Sequence, residues 1–145
     1  MFHQKDRHQL RRYYYQAWAK ARAGRPLEPL ESIIADVIGH HPEYHPLLEE
    51  DDDDRMDKDY LPEAGETNPF LHLGLHIAVR EQLQANRPAG LIEAYRTLRG
   101  QSGDAHAAEH QVMECLAETL WQAQRNGTTP DEQAYLASLR RLTGS

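Results

Sequence analysis

The chain has 145 residues, 39% of them hydrophobic and 27% charged, with a formal net charge of −7. That length suits one domain with a real core and is short for two, and the acidic balance argues against nucleic-acid binding by general electrostatics, which needs a basic face. No apolar run approaches the roughly 20 residues that span a bilayer, the N-terminal residues lack the apolar core of a signal peptide, and the single cysteine, Cys115, fits a reducing compartment, so a cytoplasmic protein is expected.

A first helix is expected over 4–23, with Leu10, Tyr14, Ala17, Trp18 and Ala21 on its inward face and Gly24 as its stop. Arg7, Arg11, Arg12, Lys20, Arg22 and Arg25 make this segment basic, which reads as a solvated face or one paired with acidic neighbours. Of Tyr13, Tyr14 and Tyr15, at least one ring should face the core. Pro26 and Pro29 mark a turn before a second helix over 30–39, striped by Ile33, Ile34, Val37 and Ile38. Pro42 then begins a short helical turn, with His41 as a weak cap, and Pro46 interrupts it. The acidic run 49–54 and the polar stretch that follows predict a mobile loop over 49–67, because dense like charges repel and cannot pack. The run lacks the alternating ligands and central glycine of an EF-hand calcium loop.

Asn68 and Pro69 start a central helix over 69–86, whose Phe70, Leu71, Leu73, Leu75, Ile77, Ala78 and Val79 leave almost no polar face, so protein should surround it. A short helix over 89–99 with Leu91, Ile92, Tyr95 and Leu98 inward should stop at Gly100. A second long helix is expected over 105–126, carrying His106, His110, Met113, Ala117 and Leu120 on its inward stripe, with Val112, Leu116 and Trp121 beside them. Thr129-Pro130-Asp131-Glu132 reads as a capping box for a last helix that buries Tyr135, Leu136, Leu139 and Leu142. No segment alternates long enough to be a strand. The expected fold is all-α: a single-domain bundle of five to six helices over 1–145, with the two long helices packed together at its centre.

The chemistry lies in the histidines. Nine are present, and three pairs share the form His-x-x-x-His: His41/His45, His72/His76 and His106/His110. Random placement would give only about half such a pair. Residues four apart stack on one helix face, and burying imidazoles costs free energy unless each finds a hydrogen bond or a metal. If the two long helices pack antiparallel, His72, His76, His106 and His110 meet in the interior, where bundles build metal sites. Glu114, four residues after His110, continues the ridge as a ligand or orienting carboxylate, and His41 and His45 are additional candidates. His3, His8 and His40 are assigned to the surface, and Cys115 to core packing. Nitrogen-rich donors with a carboxylate suit Zn, Fe, Ni or Cu and do not suit Ca or Mg. Nothing indicates a nucleotide or organic cofactor.

Other readings stay open. His106-Ala-Ala-Glu109-His110 matches the inverted zinc-protease pattern H-x-x-E-H, with Glu109 as general base for a metal-bound water. The chain has no room for the substrate domain and distal acidic ligand of those proteases. The Glu-x-x-His motif of di-iron bundles is absent. A metal-free interaction module is the alternative: the histidines would be hydrogen-bonded in the core, and the acidic loop or basic first helix would dock a partner. The sequence names no such partner, and is compatible with a homo-oligomer.

Longer motifs carry a resemblance. Thr67-Asn-Pro-Phe-Leu-His-Leu-Gly-Leu-His76, His106-x-x-Glu-His-x-x-Met-Glu-Cys-Leu-x-Glu118 and Trp121-x-x-Gln-Arg125 are joined by His41-Pro-Glu-Tyr-His45 and Tyr60-x-Pro-Glu-x-Gly65. Together they resemble the bacterial family called domain of unknown function 1841 over nearly the whole chain. The resemblance implies a small cytoplasmic helical protein of Gram-negative bacteria and assigns no activity.

Overall fold

The computed structural model describes residues 4–49 and 68–144; His3 and nearly all of the expected acidic loop, 50–67, lie outside the described residues. Among the described residues the chain is all-α, with seven α-helices, a 3₁₀ turn and no strand. The chain divides into two compact units, Met1–Gly74 and Leu75–Ser145.

In the N-terminal unit, α1 (Gln4–Arg22) packs against α2 (Pro29–Gly39) through Tyr14 and Ala17 on one side and Ile34, Val37 and Ile38 on the other, all buried. Leu10 does not join them: it is 42% exposed, and the place at the head of the stripe belongs to Arg11, 2% exposed, whose guanidinium lies 4.5 Å from the Phe70 ring centroid. A cation over an aromatic face is stabilised while its aliphatic stem packs, so part of the basic face turns inward. Glu31 ties the two helices. Its Oε1 accepts from the Glu28 backbone N–H at 2.9 Å, and its Oε2 from Lys20 Nζ at 2.7 Å.

The Lys20 ammonium, with the Glu28 N–H, holds the Glu31 carboxyl below its ordinary value of 4.5, against the opposing effect of burial. A depressed carboxylate contributes stability that is fully present above the unfolded-state value and is lost as pH falls through the lowered one. Acid titrations of the wild type and Glu31→Gln should therefore differ in slope below about pH 4.5. Parallel acid limbs would show that this contact contributes nothing.

The segment after α2 departs from the expected interruption. His41 leaves the helical region (φ −125°, ψ 70°), Pro42–Tyr44 forms the 3₁₀ turn, and α3 (His45–Leu48) follows at once. Pro46 lies in the first turn of α3, where its missing N–H costs nothing, so it starts a helix instead of breaking one.

α4 (Pro69–Ala85) contains the boundary between the units. Asn68 Oδ1 accepts from the N–H groups of Phe70 and Leu71 at 3.0 and 3.1 Å, the cap that the sequence predicts. α4 is not apolar all round: Leu71 is 61% exposed, while Leu73 and His76 are fully buried.

In the C-terminal unit, α5 (Leu91–Ser102), α6 (Ala105–Asn126) and α7 (Glu132–Thr143) enclose a core of Leu91, Leu98, Val112, Leu116, Tyr135 and Leu139, which Val79 of α4 joins. The Tyr135 hydroxyl donates to Gln82 Oε1 at 2.8 Å, tying α7 to α4. α5 runs past Gly100 to Gly103, whose φ of 72° supplies the left-handed cap. At α7 the cap is Asp131, accepting from Ala134 N–H at 3.1 Å, with Pro130 outside the helix. Leu120, Trp121 and Leu142, expected inward or beside the inward stripe, are 41%, 53% and 45% exposed. At 19 residues, α1 is longer than the 17-residue α4, so the two histidine helices are not the two longest. No helix among the described residues is long and apolar enough to cross a membrane.

Candidate metal centre

Three histidines and one carboxylate meet in the C-terminal unit. Asp104 Oδ1 caps α6 by accepting from His106 N–H at 3.1 Å, which fixes the first turn. His106, Glu109 and His110 then follow at helical positions two, five and six, and so share one side. His76 and Arg80, four apart on α4, face them. The His76 ring centroid lies 5.2 Å from that of His106 and 5.4 Å from that of His110, and the latter two are 4.2 Å apart.

Glu109 is the hinge of the group. A carboxylate only accepts, so His76 Nε2 donates to Glu109 Oε2, at 2.5 Å. Arg80 Nε lies 2.8 Å from the other oxygen, Oε1. Burial pushes the Glu109 carboxyl up, but the His76 bond and the Arg80 charge outweigh it and hold it below the ordinary value. His76 is fully buried and the Glu109 side chain is 8% exposed. His76, His106 and Glu109 each offer one donor atom, all within 4.8 Å of one another.

Glu114, which the ridge spacing offers as the carboxylate, is exposed on α6, and Glu109 occupies the place beside the imidazoles. His110 and Glu114 are one turn apart, yet the helix face rotates by about 40° over four residues, enough to carry Glu114 out to solvent. In the N-terminal unit, buried His41 lies edge-on to His72 at 4.8 Å and bonds Glu43 Oε1 through Nδ1 at 3.0 Å. The non-helical backbone at His41 removes the one-turn relation that the spacing of His41 and His45 would have in a helix. His45 instead donates from Nε2 to the Ile38 carbonyl at 2.9 Å and lies on the Trp18 ring at 4.6 Å. His40 is exposed, as expected, and Cys115 is buried, its thiol pushed up mainly by burial.

Sequence reasoning missed Arg80, although its position four residues after His76 continues the His72/His76 ridge. The H-x-x-E-H pattern offers Glu109 only as a protease-type base. Both of its oxygens are engaged and its pKa is lowered, which makes it a poor proton acceptor.

An all-α chain with a buried histidine–carboxylate cluster is thus the class that fold and site define. The chain matches the family model described as Domain of unknown function (DUF1841) over residues 6–141, and it belongs to that family. No curated protein and no solved structure matches it.

Proposed function

We propose that this protein binds a transition-metal ion through His76, His106 and Glu109, with His110 as a further imidazole donor. The observation that supports this reading is the convergence of the His76, His106 and Glu109 donor atoms to within 4.8 Å, with His76 and Glu109 buried. Imidazole and carboxylate donors suit Zn, Fe, Ni or Cu. Dialysis of the purified chain against Zn(II) is expected to leave about one retained ion per chain. His106→Gln and His110→Gln should retain much less, since Gln keeps polarity and most of the volume but is a poor ligand. Retention unchanged in both variants would contradict the assignment.

A second reading has its own support. Glu109 balances its charge with Arg80 and bonds His76 without any ion. In that reading the protein is a metal-free interaction module, and the cluster only locks α4 to α6. Unlike the metal reading, it expects no ion to be retained.

A further inference from the structure

The C-terminal half of the 22-residue α6 exposes Trp121 by 53% and Leu120 by 41%. Exposed apolar surface rimmed by polar groups marks an interaction site, and here the rim is ordered by sign. Glu114 and Glu118 precede Trp121 and Arg125 follows it, at spacings of four, three and four, so all four share one exposed helix face. Among the described residues neither Glu114 nor Arg125 has an ion-pair partner. The Arg125 guanidinium lies over the Trp121 ring at 5.3 Å, and Glu118 Oε1 accepts from Gln122 Nε2 of the same helix at 2.8 Å.

A face that runs acid, aromatic, base is complementary to itself read backwards. A two-fold axis perpendicular to the helix sets α6 antiparallel to its copy and brings the same patch together from both sides. With that axis at Trp121, the two indoles meet at the centre. Glu118 lies three residues before Trp121 and Arg125 four after it, so Arg125 and Glu118 of the second copy differ by only about 1.5 Å along the helices. Round the helix the two are turned from Trp121 in the same sense, by about 60° and 40°, and the two-fold keeps them on one flank of the contact. Arg125 then falls between Glu118 and Glu114 of the second copy. A parallel pairing would set acid against acid and base against base. We infer that this face of α6 docks antiparallel on the same face of a second copy of the chain, with Trp121 as the central anchor and Arg125 paired to Glu118 and Glu114 of that copy. A central tryptophan ringed by charge pairs is the usual make-up of an energetic centre in an interface.

Sedimentation velocity of the full chain across the micromolar range is the test. The wild type is expected to pass from monomer to dimer as concentration rises. Trp121→Ala should weaken the association by about thirtyfold or more, the loss that follows from truncating a central aromatic anchor. Arg125→Glu and Glu118→Arg should each weaken it by bringing like charges together. The double variant Arg125→Glu/Glu118→Arg exchanges the signs of that pair and should recover part of the loss, since Glu114 stays acidic. All of these side chains are exposed, and circular dichroism checks that the variants fold; should Trp121→Ala fail to fold, the charge exchange decides. A wild type that stays monomeric throughout overturns the inference. A dimer that Trp121→Ala leaves as tight, or that the charge exchange does not rescue, overturns it too and puts the contact on another face. The readout is mass, so the outcome does not depend on the metal reading.

Discussion

Glu109→Ala should lower the unfolding free energy by about 3 kcal/mol or more, because it removes one partner from a buried charge pair. The substitution leaves the fully buried His76 Nε2–H without its acceptor and Arg80 without its carboxylate. Arg80 is partly exposed and can regain water, which puts the effect at the low end of the range for broken buried pairs. Glu109→Gln keeps a hydrogen-bond acceptor for His76 and loses only the charge, so a smaller cost of about 1–3 kcal/mol is expected. The double variant Glu109→Ala/Arg80→Met should be less destabilised than the two single effects added together, since residues in one network are not additive. Urea unfolding followed by circular dichroism measures all four. A loss below about 1 kcal/mol for Glu109→Ala would mean that His76, Glu109 and Arg80 do not form a closed group in solution.

The second large effect comes from the metal. An ion that binds the folded state alone adds about 2.7 kcal/mol when its free concentration is one hundred times Kd. For a chain of this length that corresponds to a rise in Tm of roughly 5–10 °C. Chelator should reverse the rise. His106→Gln should show little or no rise, and once both proteins are stripped it should differ from the wild type by only the small cost of a disturbed side-chain contact. If both melt at the same temperature with zinc and with chelator, the imidazoles are structural and the metal-free reading stands.

Much of this architecture is legible in the sequence because the helix signals are local. Asn68-Pro69 and Asp104 place the starts of α4 and α6, and Gly127 (φ 64°) the end of α6, through caps that depend on a few neighbouring residues. The helix-period stripe also identifies Tyr14, Ile34, Val112 and Leu139 as core. It fails at Leu10, Leu71, Leu120 and Leu142, all exposed by more than a third, because periodicity gives a direction on the helix and not the extent of the neighbouring surface.

The same distinction runs through the site. Four-residue spacing, a property of single helices, marks His76, His106 and His110. Which carboxylate joins them depends on how α4 faces α6, and no pattern along one helix carries that. Glu114 follows the ridge from His110, yet Glu109 and Arg80 complete the group because each lies opposite the other helix. His41 and His45 have the same spacing as the other pairs, but Pro42 and the non-helical His41 backbone send their rings to different neighbours.

The most direct measurement is the metal content of protein produced without a histidine tag, before and after chelator treatment. A transition metal in near-stoichiometric amount is expected, lost to chelator, restored by added Zn, Fe, Ni or Cu, and much reduced in His76→Gln and His106→Gln. Protein that is metal-free as isolated and takes up none of these ions would contradict it, leaving the Arg80–Glu109–His76 group as a structural tie between α4 and α6.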